Sequence, residues 1–572
     1  MKRRLALTGA LLAAVSLLAA CGSGGSSASS SATKVTGGTA VIGMSSQTSP
    51  NFFFPDLSMD ANSVLNNQVD SLMYLPLIVF NGKSQYNYPM MIASGIQVNA
   101  SGTVYTVKLN PKWHWSDGTP VTANDVVFTW NVIKAASGTA SNLPWIFSGQ
   151  GTAGIPDAWK SVVALNQHTV QVTLYKPRSS LEFIQEGLDL IFPVPEHVWN
   201  KYPNDMMKEL AFIKSVSNSP NNAVYKVVDG PFNFQTYQAN QYWDFVPNPK
   251  FDGQKATISK LVFQYFASDE AEYLALKSGQ VNWGYLPISM WADRTQLTNY
   301  NMFPSYAIGF NQVDEDLCAG APGNINKAFS DLAVRQALQL GVDQQGIINT
   351  VYHGQAAPDY TSMAEQPPSP LYDSSLKNPY PYDPAKGKKL LEADGWTMQN
   401  GVMTKNGVQL SFTLDYVSGA QDVAQTVQIL KASWAEEGIQ ANLVAQPFNQ
   451  IISYYSGNAS KWAMQFWGGG WSFTAYPSVS GIFQTNGGLN VGCWSDPHMD
   501  QLINAMNQPG SMAQQTQAIY NFEGYAAKVL PGTFFIPYPA NIYEYSKNLH
   551  GAKSTYSAIG EDIEPNYWYF TK

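Results

Sequence analysis

The chain comprises 572 residues, with 41 Asp and Glu against 33 Lys and Arg, a formal net charge of −8. That balance excludes a general attraction to nucleic acid or to an anionic lipid surface, since both need a positive field. A chain of this length exceeds what one hydrophobic core organises, so at least two lobes are expected. Charged residues are only 13% of the total and aromatics also reach 13%, which describes a surface rich in neutral polar groups, Trp and Tyr.

The first element is a leader. Lys2, Arg3 and Arg4 precede an apolar run from Leu5 to Ala20 that is broken only by Thr8, Gly9 and Ser16. A membrane-spanning helix needs about 20 apolar residues. This run is shorter and no stop-transfer charges follow, so it reads as a secretory signal over residues 1–20. Leu18-Ala19-Ala20-Cys21 resembles the lipobox of bacterial lipoproteins, in which the cysteine sulfur carries a diacylglyceryl group. The resemblance makes Cys21 the lipid anchor, and the competing reading is an ordinary signal peptide with an incidental cysteine. Residues 21–36 then form a Gly/Ser tether without side chains that could order it. Cleavage leaves 30 Lys and Arg against 41 Asp and Glu, a net of −11. No later apolar run approaches transmembrane length, so the rest reads as a body outside the cytoplasm, anchored to the cell membrane. The other two cysteines, Cys318 and Cys493, fit no metal motif and could be bridged or reduced.

Along the body, residues 103–109 put Tyr105, Val107 and Leu109 on one face and Thr106 and Lys108 on the other, a half-buried strand. Asp117-Gly118 and Thr119-Pro120 are turn formers. Thr122 then caps a helix, with Asp125 completing a capping box. A second helix is predicted from Asp269 as cap, with Glu272 at the third position and Gly279 at the end. A third follows Ser330, where Val334, Ala337, Leu338 and Gly341 share a face. A fourth opens at Asp383-Pro384 and stops at Asp394-Gly395.

These segments also carry a resemblance. "VKLNPKWHWSDGTPVTANDVVFTW" is similar to the signature of the bacterial extracellular solute-binding proteins of family 5. Four further stretches match that family in order: "GPFNFQTYQANQYWDFVPNPKFDG", "YLALKSGQVN", "SDLAVRQALQLGVDQQGI" and "YDPAKGKKLLEADGW". Asn282 stands where the family usually has an acid, Arg335 is in place, and Gly387 stands where alanine is common. The resemblance implies an α/β, two-lobed periplasmic-binding-protein-like fold with a hinge, one lobe being discontinuous and carrying an extra subdomain. Its expected parts are lobe I over 37–69, 196–305 and 541–572, the subdomain over 70–195, and lobe II over 306–540. It implies a monomeric peptide receptor that serves the permease and ATPase subunits of an ABC importer, without a cofactor. An oligosaccharide or other neutral solute is the alternative ligand, a surface hydrolase is a remote alternative, and service to a sensor instead of a transporter stays open.

The sequence offers no catalytic constellation. The six histidines show no metal-ligand spacing, and no nucleophile elbow occurs. His498 near Cys493 reads as a surface histidine beside a helix cap. "GQGTAG" (149–154) satisfies Gly-x-Gly-x-x-Gly, but Ile155-Pro156-Asp157 follows where a dinucleotide site needs a helix, so a loop is expected. Asp314-Glu315-Asp316 reads as a solvated loop, since it lacks the spacing of a calcium site.

Aromatic density concentrates in "KWAMQFWGGGWSFTAYPSVSGIFQTNGGLNVGCW" (461–494), which offers flat apolar walls around a triple glycine. Trp462 and Trp494 read as core. The ligand-binding candidates are Trp467, Trp471, Phe473, Tyr476 and Asn311. Peptide-binding relatives commonly place an aspartate in this stretch to pair with the ligand's α-ammonium. Here the positions read Phe473-Thr474-Ala475-Tyr476-Pro477, and no carboxylate occurs between Glu437 and Asp496. Either another segment supplies the acid or the ligand buries no free amine; the sequence favours weak discrimination for one.

Overall fold

The computed structural model of the chain describes residues 33–138, 143–456, 459–473, 476–477 and 479–572. The signal segment and Cys21 lie outside the described residues, as do Thr474 and Ala475.

Three sheets organise the chain, and the first grows from the alternation read at 103–109. Val104–Leu109 buries Tyr105, Val107 and Leu109. It sits between Ala93–Val98 and Thr169–Leu174, and Trp159–Asn166 completes an antiparallel sheet of four strands. Helix Ala123–Ala136 lies against this sheet and starts at the expected capping box. The Thr122 amide and hydroxyl both donate to Asp125 Oδ2, at 2.7 and 3.0 Å.

The second sheet has seven strands, in the order Tyr300–Ser305, Asn541–Ser546, Trp283–Tyr285, Thr39–Gly43, Lys260–Gln264, Tyr242–Pro247 and Phe232–Gln238. Thr39–Gly43 runs parallel to both of its neighbours. Asn282, in place of the family's acid, donates its backbone N–H to the Val41 carbonyl, and its Oδ1 accepts from the Val41 amide at 2.9 Å. The amide side chain thus extends the pairing of two parallel strands.

The third sheet runs Gln440–Gln446, Ser411–Val417, Met464–Phe466, Ile308–Glu315 and Gly470–Phe473, with Thr533–Ile536 also paired to Ile308–Glu315. The helices of the Ser330 and Asp383 segments, Leu332–Leu340 and Pro384–Ala393, belong to the core beneath it. The chain passes between the second and third sheets at Tyr306-Ala307 and again at Pro537–Ala540, which are short connections between two separate cores.

Several local expectations are corrected by this packing. Asp314-Glu315-Asp316 is no solvated loop: it ends a central strand, and Glu315 and Asp316 are fully buried. Burial pushes Glu315 up to about 8, although the Arg335 guanidinium opposes the shift. Ser268, not Asp269, caps helix Asp269–Lys277 by accepting from the Ala271 amide. Val334, Ala337 and Leu338 are buried as expected, but Gly341 is the residue that caps their helix. Gly387 has a steric reason: a Cβ there would collide with the buried Glu437 carboxylate. The open question about the thiols is answered by a disulfide between Cys318 and Cys493, with their Cα atoms 5.0 Å apart. His498 is exposed beside its cap Asp496, with its ring edge-on to Tyr525. "GQGTAG" forms a turn and no helix of a dinucleotide site follows.

Candidate functional site: the cleft between the lobes

The triple glycine sets the geometry of the central wall. Gly468 takes φ +83°, a left-handed conformation that side chains disfavour, and a Cβ on Gly470 would collide with the Phe310 carbonyl oxygen. The turn therefore folds back tightly and brings Trp467 and Trp471 edge to face, with ring centroids 4.7 Å apart. Both rings line a cavity of about 420 Å³ between the second and third sheets. Its far wall comes from Ile42–Ser46, Asn67, Gln68 and Tyr285, and its floor includes Ala307 and Tyr538–Ala540, the two places where the chain crosses. A second chamber of about 270 Å³ adjoins it and shares Asn62, Val64, Asn67, Trp471 and Ser472 with the first. Together they make one cleft of the size and mixed polarity that organic ligands use.

The predicted residues divide. Trp467 and Trp471 line the first chamber, and Trp471 and Phe473 line the second. Tyr476 lines neither: its buried hydroxyl donates to the Met506 carbonyl at 2.9 Å. Asn311 is also outside the walls. Its amide group donates to the Pro537 carbonyl at 2.9 Å and its backbone N–H to Asp359 at 2.8 Å, so it braces the second crossing. The physical reason is that the Tyr476 and Asn311 side chains are both buried and must be satisfied inside the fold, where backbone carbonyls take their donors. Trp462 and Trp494 line neither chamber, and Trp494 packs under the Arg335 guanidinium at 5.1 Å.

What sequence reasoning missed is the charge of the walls. Asp269, Glu272, Asp422 and Glu561 line the first chamber, and Glu186, Asp189, Asp562 and Glu564 the second. They come from four distant segments, and the only local signal was the acidic run at 561–564. Burial is the leading cause that raises each shifted carboxyl. Asp422 and Asp562 are pushed to about 7, the first reinforced by Asp269, the second by Glu564 and Glu561. Asp189 is raised by burial and then by Glu186. The walls thus hold acids that the 461–494 stretch lacks, which are candidates for the acid that another segment could supply.

The lobes touch on both flanks of the cleft. Asp269 accepts from the Ser46 hydroxyl and, across the cleft, from the Gln421 backbone amide at 3.0 Å. On the other flank the Ser179 amide donates to the Asn507 carbonyl at 2.8 Å and Gln515 donates to the Ser179 hydroxyl at 2.6 Å. Among the described residues, no helix is long and apolar enough to cross a membrane, and no cluster of His, Cys, Asp or Glu could hold a metal ion.

Two α/β lobes linked by short crossings, with a walled cleft between them, define a binding protein of the two-lobed periplasmic type. The chain belongs to the bacterial extracellular solute-binding proteins, family 5, whose middle region matches residues 87–490. It is 25% identical to the oligopeptide-binding protein AppA of Bacillus subtilis (strain 168), over 97% of each chain. The structure of that protein with a nonapeptide superposes with a TM-score of 0.80 at 21% identity, covering 94% of this chain and 100% of that one. NikZ from Campylobacter jejuni, in complex with Ni(L-His), superposes with a TM-score of 0.73 at 20% identity, covering 93% and 99%.

Proposed function

We propose that this chain captures oligopeptides between its lobes and delivers them to the permease of an ABC importer. The observation that carries the reading is the two-chambered cleft, built where the lobes meet and floored by the crossings. It is supported by the match of nearly the whole chain to a relative named for oligopeptide binding. Lobe I comprises 37–69, 196–305 and 541–572, with the subdomain at 70–195 and lobe II at 306–540. The seven-stranded, four-stranded and third sheets each fall within one of these parts. Trp467, Trp471 and Phe473 are the aromatic contacts, while Tyr476 and Asn311 support the walls. The protein acts as a monomer, without turnover. A neutral sugar is the poorer ligand, because the two central indoles meet edge to face instead of offering a flat platform.

Mass spectrometry of material released from the purified protein should identify peptides. A sugar or a metal chelate in their place would overturn the reading. We also assign the membrane anchor to a lipid on Cys21. Cys21→Ala should leave the protein uncleaved or shed into the medium, and a cleaved variant that still sediments with membranes would refute the anchor.

A further inference from the structure

Both chambers of the cleft are acidic. Eight carboxylates line its two chambers, and no lysine, arginine or histidine does so among the described residues. A solvated acidic patch would say little, but Glu186, Asp269 and Glu272 are buried and the other five are partly buried. Glu272 is 2% exposed, and its Oε1 has no hydrogen-bond partner among the described residues. Asp189 is half-buried, and its Oδ1 is out of water with no hydrogen-bond partner among the described residues. Other members are satisfied by the protein: Glu561 accepts from Tyr543 and Asn541, and Glu564 accepts from Asn87. Glu272 in the first chamber and Asp189 in the second therefore each keep one buried carboxyl oxygen without a partner, which disfavours their charged forms until a counter-charge arrives.

The second chamber has the shape of a seat for one kind of counter-charge. Leu72, Ile78, Phe80 and Phe473 give it apolar sides, and Glu186, Asp189, Asp562 and Glu564 supply its acids. Apolar sides suit a methylene stem and the acids suit the charged tip, which is how lysine and arginine side chains divide themselves. A metal ion is the wrong occupant, because no group of acids is close enough to hold one among the described residues.

We propose that the cleft selects basic peptides, with a ligand lysine or arginine side chain seated in the second chamber against Asp189 and Asp562. A ligand aspartate or glutamate at the same position is rejected by like charge. This specificity rests on the peptide-receptor reading.

The test is calorimetry of the purified protein, freed of carried ligand, against alanine-based hexapeptides. A single Lys, Gln or Glu is moved through each position. At one position Lys should bind at least tenfold tighter than Gln, and Glu at least tenfold weaker. The double variant Asp189→Asn/Asp562→Asn should reduce the Lys preference to under threefold, while Glu437→Gln, outside the cleft, should keep it. Peptides that bind with no charge preference at any position would overturn the proposal and leave the peptide reading standing. So would a preference that the folded double variant retains in full. If no peptide of the series binds, the peptide reading itself fails and the proposal with it. The wild-type series decides the question even if the double variant does not fold.

Discussion

At the scale of single residues, buried carboxyl groups set the pH response. Glu437 is fully buried, and neither carboxylate oxygen has a hydrogen-bond partner among the described residues. Burial, then Glu436 and Asp383, pushes its pKa from 4.5 up to about 9. The folded state thus holds a proton that the unfolded state releases, so this group withdraws stability as pH rises from 4.5 towards 9 and changes nothing below that window. Glu437→Gln should therefore raise the unfolding free energy relative to wild type by on the order of 2–3 kcal/mol near neutral pH. Near pH 4 the two proteins should match. Denaturant melts at both pH values would check this, and an equal gain at both would refute the titration. The sequence showed Gly387 as a departure from its relatives, yet its partner Glu437 lies 50 positions away and became visible only in the fold.

At the scale of elements, caps were legible to within one residue, and that residue matters at one helix. With Ser268 as cap, the Asp269 carboxylate is released from capping and reaches Ser46, Ser289 and the Gln421 amide of the opposite lobe. Asp269→Ala should leave helix Asp269–Lys277 capped but remove a contact that holds the lobes together. The ligand-free variant should show a larger radius of gyration by small-angle scattering than wild type, at a nearly unchanged melting temperature. An unchanged radius would leave closure to the other contacts between the lobes, Ser179–Asn507, Gln150–Gly488 and Ser49–Asn449. Sequence reading placed the cap at Asp269 because aspartate and serine are both strong caps; tertiary hydrogen bonding chose between them.

For the whole molecule, function is a population shift. A ligand that touches both lobes favours the closed arrangement. At a free concentration of about 100 Kd it should add about 2.7 kcal/mol to unfolding and shrink the radius of gyration. Saturation by the ligand that mass spectrometry identifies, with no change in radius, would remove hinge closure from the mechanism. The cleft acids add a pH dependence. Asp422 and Asp562, each near 7, are neutral below that pH and charged above it. Asp422 faces Asp269, while Asp562 faces Glu561, Glu564 and Asp189, so no fixed cation blunts the change. Affinity for a basic peptide should rise from pH 6 to pH 8, by up to about tenfold per unit for each group that must ionise. An uncharged peptide of equal length should show a much smaller rise, and equal slopes for the two would exclude these carboxyls as its source.

The class of fold was carried by the resemblance to family 5, while by itself the sequence determined the half-buried strand at 103–109, the helix starts to within one residue and the tight aromatic turn around Gly468–Gly470. Each depends on residues that are neighbours in the chain, through alternation, capping or a tight turn. Only the tertiary structure decided that Cys318 meets Cys493, that the acidic run at 314–316 is buried, and that Tyr476 and Asn311 stand behind the walls. It alone assembled the acids of the cleft. Of their segments, around Glu186, Asp269, Asp422 and Glu561, only the last stands out as an acidic run, and a shared electrostatic environment exists only once folding has brought them to one cavity.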